Sequence, residues 1–179
     1  MVAPSLMFEH GLDVAKGWFE PSALDFSAKL SDNVIFEVPR GRVVHLNSSG
    51  EFEMGVATTE MGIFLLNGSE DFDVSNPGIT PSGLFMHQAI SPAGNMSGLV
   101  ATGAYEIEST EFLTSLTYAP NELLTAGSSN TVEATGGLLT NAAVTLYTTP
   151  VCGVVSRGEF TNANGVSVLA FWPVFLPGP

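Results

Sequence analysis

Cationic side chains are scarce: the 179 residues hold five Lys and Arg against eighteen Asp and Glu, a formal net charge of −13. Residues 1–42 carry four of these bases, Lys16, Lys29, Arg40 and Arg42, against six acids, net −2. Residues 43–179 carry Arg157 alone against twelve acids, net −11. That second stretch has no basic stripe to displace counterions from phosphates, which argues against direct nucleic-acid binding. Cysteine is nearly missing as well. Cys152 alone excludes an internal disulfide framework, and its place in a β-branched run predicts a buried, inert thiol. No apolar run approaches the ~20 residues that span a bilayer, and no basic stretch leads into a long apolar one at the start. Neither a membrane span nor a signal peptide is therefore expected, the Asn-x-Ser triplets at Asn47, Asn67 and Asn95 read as chance, and folding in a cytoplasm is the natural expectation.

Reactive constellations are lacking too. His10, His45 and His87 are dispersed, and none stands at the spacing of a metal-binding helix. Asp71-x-Asp73-x-Ser75 starts like a calcium loop, but Asn76 replaces the sharp-turn Gly and Ser82 the bidentate Glu, so a solvated acidic turn is the better reading. Glu51/Glu53 and Glu106/Glu108 share strand faces, yet nothing sets either pair opposite another carboxylate at the ~5–9 Å a glycosidase needs. Nucleophile-elbow, phosphate-loop and dinucleotide fingerprints do not occur. The expectation is a protein without catalytic activity, cofactor or metal.

What the chain does have is apolar content of 45% with only 13% charged residues, against the usual share of about 25% charged. Thr, Ser, Asn, Gly and Pro fill the gaps between short β-branched and aromatic runs, which is the vocabulary of strands and turns. Val34–Val38, Arg42–Leu46 and Glu51–Val56 read as strands separated by Pro39–Gly41 and by Asn47–Gly50. Gly62–Leu66, Gly98–Gly103, Ala104–Glu108 and Leu116–Ala126, the last broken at Pro120, continue the pattern, with a long irregular stretch over residues 75–98. Val151–Phe160 and Val166–Phe175 flank a polar turn ending in Asn164-Gly165, a hairpin signal. The fold class is all-β, a sandwich or partly open barrel with an extended N-terminal arm: residues 1–38 as arm or outer strand, with one short helical turn near Ser22–Phe26, and residues 39–179 as β-rich body.

The last strand is apolar on both faces: Val166, Val168, Ala170, Trp172 and Val174 on one, Leu169, Phe171, Pro173 and Phe175 with Ser167 on the other. Such a strand must be covered twice, by its own core and by a second layer or another subunit. Leu169, Phe171 and Phe175 are accordingly the candidate contact of a homo-oligomer, with a trimer favoured. Lys16, Lys29, Arg40 and Arg42 gather most of the positive charge before the acidic body, and Trp18-Phe19 supply aromatic anchors beside them. These six residues are the candidate docking set of the arm.

The segments Gly41–Gly50, Gly103–Phe112, Tyr118–Ala126, Val154–Gly158 and Ser167–Val174 resemble the head decoration, or cement, proteins of tailed bacteriophages, over roughly residues 40–176. That resemblance implies a small β-rich, non-enzymatic virion protein, made in the host cytoplasm. It would bind the capsid exterior at junctions of the major capsid protein, as a trimer with an arm reaching onto neighbouring subunits. The competing class is a phage fibre or lectin-like β-domain that binds host-surface glycans.

Overall fold

The computed structural model describes residues 12–16, 24–57, 62–65, 95–100, 106–142, 144 and 149–176. Among them the chain is all-β. Its strands are β1 (Leu12–Lys16), β2 (Leu24–Lys29), β3 (Val43–Leu46), β4 (Phe52–Met54), β5 (Ile63–Leu65), β6 (Asn95–Val100), β7 (Glu106–Ser109), β8 (Leu123–Ala126), β9 (Leu139–Thr140), β10 (Val151–Thr161) and β11 (Ser167–Leu176). They form two antiparallel sheets, one ordered β1-β7-β11-β10-β8-β9 and the other β2-β6-β5-β3-β4.

Side chains alternate across a strand, and in β3 and β5 residues on both sides are buried. Val43 and Phe64 turn toward the six-stranded sheet and pack with Ile107, Leu124, Leu139, Cys152, Leu169 and Phe171; the rings of Phe64 and Phe171 lie 5.6 Å apart. The adjacent residues Val44, Ile63 and Leu65 face the other way, with Phe52, Met54, Ala28 and Val38, under a lid of Leu30, Val34 and Phe36. The five-stranded sheet is thus covered on both faces, which explains why its strands read as apolar runs instead of alternating ones.

The long C-terminal hairpin is the spine of the larger sheet. Its turn is organised by Asn162, whose Oδ1 accepts Asn164 N and Val166 N at 2.9 and 3.0 Å, with Gly165 at φ +80 closing the loop. The predicted Asn164-Gly165 turn is present, but the residue that shapes it lies two positions earlier. Halfway along β10 the register slips: Val155 pairs with Phe171, and Gly158, not Ser156, pairs with Ala170. This bulge needs glycine, because Gly158 sits at φ +82 and a Cβ there would lie 2.7 Å from Tyr118 O.

Several sequence expectations are corrected. Val34–Val38 is not a strand: its backbone bonds run to loops, Val34 N to Ser31 O and Ile35 N to Asn130 O, so it crosses the sheet as a packed lid. Leu24–Phe26 is strand, not helical turn, because the Leu24, Phe26, Ala28 alternation finds a partner in β6. The Leu116–Ala126 strand shrinks to Leu123–Ala126, after a turn in which Asn121 takes φ 72. Within the stretch read as arm or outer strand, residues 12–16 and 24–29 are edge strands of the two sheets, and Leu30, Val34, Phe36 and Val38 pack in the second core.

Candidate functional site

Arg42, expected on a docking arm, lies inside the molecule. Its side chain is 6% exposed, and Nε reaches Glu111 Oε2 at 2.6 Å, itself at the entrance to the loop between β7 and β8. Nη1 donates to the carbonyls of Glu133 and Gly136 at 2.8 and 2.5 Å. One guanidinium therefore ties the start of β3 to two remote loops, and the planar fork is what lets a single side chain do this. The assignment fails for a physical reason: a base in an acid-rich chain is drawn to the nearest buried carboxylate, and its sequence neighbours do not show where that carboxylate is.

Arg157 does the same for the larger sheet. The bulge in β10 aims it across Ala170 of β11 to β7, where Nη2 lies 2.9 Å from Glu106 Oε1 and 2.5 Å from Glu108 Oε1. Both carboxylates are buried, while the guanidinium is 36% exposed and its carbon stands 4.8 Å over the Phe160 ring. The Glu106/Glu108 pair was visible in sequence as a shared strand face. Its partner was not, because the bulge that selects Arg157 leaves no periodic trace.

The other candidate residues scatter. Leu169 and Phe171 are fully buried within the chain's own intersheet core, so they have no surface left for a second subunit, and the oligomer-contact assignment is corrected for both. The chain's own other sheet covers the Leu169 and Phe171 face of the strand, and Val168 and Ala170 on the opposite face are fully buried as well. Phe175 is half-buried near the end of β11. Lys29 is exposed and paired with Asp32 at 3.3 Å, and Arg40 is half-buried with a partner of its own. Lys16 stands opposite Glu106 in the β1–β7 register; Trp18 and Phe19 lie outside the described residues.

Reactive groups in the described part are muted. Burial pushes the Cys152 thiol up to about 12, and its Sγ lies 3.6 Å from Leu124 O. Burial, with the nearby charges of Glu159 and Glu122, pushes the Tyr118 hydroxyl up to about 12 while it donates to Leu113 O at 2.9 Å. His45 Nδ1 sits 3.3 Å from Gly55 O. No group of three or more His, Cys, Asp or Glu side chains could hold a metal ion among the described residues. His10, His87 and the Asp71–Ser75 turn lie outside them.

Among the described residues, Glu53 is the carboxylate whose pKa is clearly displaced. Its Oε1 accepts Asn33 Nδ2, Asn47 Nδ2 and Ser31 Oγ at 3.0, 3.2 and 3.2 Å. The Asn33 bond, then the Asn47 bond, hold its pKa below the ordinary 4.5 despite some desolvation. A depressed native pKa adds stability that is fully present above the unfolded-state value and drains away as pH falls through the native one. Wild-type protein is thus expected to lose stability below about pH 4.5 more steeply than a Glu53→Gln variant, in denaturant titrations from pH 6 to 2. Parallel pH profiles would show that these amide bonds do not favour the charged carboxylate.

No protein-family model, curated protein or solved structure matches the chain. The arrangement of its residues therefore bears the functional argument, together with the segments quoted from its sequence.

Proposed function

We propose that this chain is a capsid decoration protein of a tailed bacteriophage, bound outside the lattice of the major capsid protein and holding the DNA-filled head closed. The observation that carries the reading is the use made of charge: Arg42 and Arg157 act as internal braces, leaving a cross-tied two-sheet body with an acidic exterior. A rigid acidic body suits a particle component that must stay soluble and clear of DNA. The resemblance of Gly41–Gly50, Tyr118–Ala126 and Ser167–Val174 to cement proteins supports the same reading.

The mechanism is linkage. A protein that binds only the assembled shell shifts the assembly equilibrium toward it, and several contacts made by one rigid body share a single loss of translational freedom. A homotrimer remains part of the proposal, with contacts other than Leu169 and Phe171. Purified protein should co-sediment with heads of the encoding phage, and heads made without it should release DNA at lower temperature and under osmotic shock. Heads that resist these stresses as well as complete ones, together with binding on a glycan array, would replace this reading with a glycan-binding fibre domain.

A further inference from the structure

Of the three large apolar side chains exposed on the described surface, Leu176 ends β11, and the other two are Ile35, 71% exposed, and Val132, 48% exposed. Single exposed apolar residues are ordinary. These two belong to one surface, because the lid and the loop between β8 and β9 are locked together. Ile35 N donates to Asn130 O at 3.1 Å, and the Phe36 ring lies so close to Gly136 that a Cβ there would be 2.7 Å from Cζ. Val132 lies between those two anchor points.

The surface is also preorganised. Asn130 Oδ1 accepts Met54 N, Ser129 Oγ accepts Val132 N, and Arg42 holds the carbonyls of Glu133 and Gly136 from below. Holding the apolar residues in place before binding removes much of the ordering cost that association imposes. Exposed acids flank them in sequence, Glu37 two residues from Ile35 and Glu133 next to Val132, while Asp32 pairs with the exposed Lys29.

We propose that the Ile35–Val132 surface docks a protein partner presenting an apolar pocket rimmed by Lys or Arg. Apolar centre and charged rim are the ordinary anatomy of an interface, and the sign of the rim selects the partner. Nucleic acid and anionic membrane are repelled by it. A second copy of this chain is a poor match, since it has five bases in all and two of them, Arg42 and Arg157, are held by Glu111 and by Glu106 and Glu108. The polarity is the reverse of the arm's docking set, in which Lys16, Lys29, Arg40 and Arg42 supplied positive charge. This inference rests on the decoration reading only for the partner's identity, which would be the capsid lattice.

Two measurements separate the inference from that reading. The first is binding to immobilised 15-residue peptides with a Leu or Phe centre flanked by Lys and Arg, beside the same peptides with Glu flanks. Wild type should prefer the basic set. Ile35→Asp with Val132→Asp should weaken binding at least tenfold while circular dichroism stays native, as expected for exposed positions. Glu37→Lys with Glu133→Lys should move the preference toward the acidic set. No peptide binding, or equal binding by the Asp variant, overturns the docking surface. The second is co-sedimentation with heads of the encoding phage: loss in the Asp variant alone supports both readings, and equal sedimentation of variant and wild type overturns the surface. Wild type that binds peptides but not heads keeps the surface and removes the capsid as its partner.

Discussion

Arg42→Met is expected to cost about 3–5 kcal/mol of unfolding free energy, the usual penalty for removing one member of a buried ion pair. Glu111, at 4% side-chain exposure, would be left in the interior without the guanidinium, and the carbonyls of Glu133 and Gly136 would lose a shared donor. The double variant Arg42→Met with Glu111→Leu should recover a large part of that loss, since two apolar side chains of similar volume often replace a buried pair at little cost. Urea denaturation of wild type, both single variants and the double variant measures the coupling. A single-variant loss below about 1 kcal/mol would mean that water reaches Glu111 and that Arg42 braces nothing.

Phe171→Ala is the second large effect, at about 3–5 kcal/mol, typical of a fully buried aromatic that leaves a cavity. Phe171 is 0% exposed, stacks obliquely on Phe64, and fits against Gly153, where a Cβ would lie 2.7 Å from its Cδ2. The site is so closely built that its walls have little room to collapse inward. Because the ring fills the chain's own core, the loss should be independent of protein concentration. A variant with native stability that merely dissociates, by denaturation at several concentrations and by light scattering, would return Phe171 to an interface between copies.

The all-β class, the Asn47–Gly50 turn, β3, β4, β5 and the C-terminal hairpin are legible because they depend on local patterns: alternation, β-branched runs and turn residues. The lid over residues 31–38 is not, since Val34-Ile35-Phe36 has strand composition and only a non-local bond, Ile35 N to Asn130 O, tells it apart. The two-faced apolar character of Val166–Phe175 was visible, and so was the need for two covers. Which cover is the chain's own sheet is decided by strand order, to which composition is blind. The same holds for the charges: Arg42 and Arg157 were conspicuous as rare bases, but their roles follow from carboxylates 69 and 49 positions away.

The sheet order has a consequence for synthesis. β1 and β2 leave the ribosome first, yet β1 pairs with β7 and β2 with β6, while β7 gains its other neighbour only when β11 has been made. The larger sheet cannot close until nearly the whole chain exists, and the smaller one waits for β6, so pairings this distant in sequence pay their loop-closure entropy late. The C-terminal hairpin, local and closed by the Asn162 turn, is a natural seed for the larger sheet, as the local β3–β4 pair is for the smaller. Until their partners are made, β1 and β2 are unpaired β edges, the kind of template on which neighbouring chains aggregate.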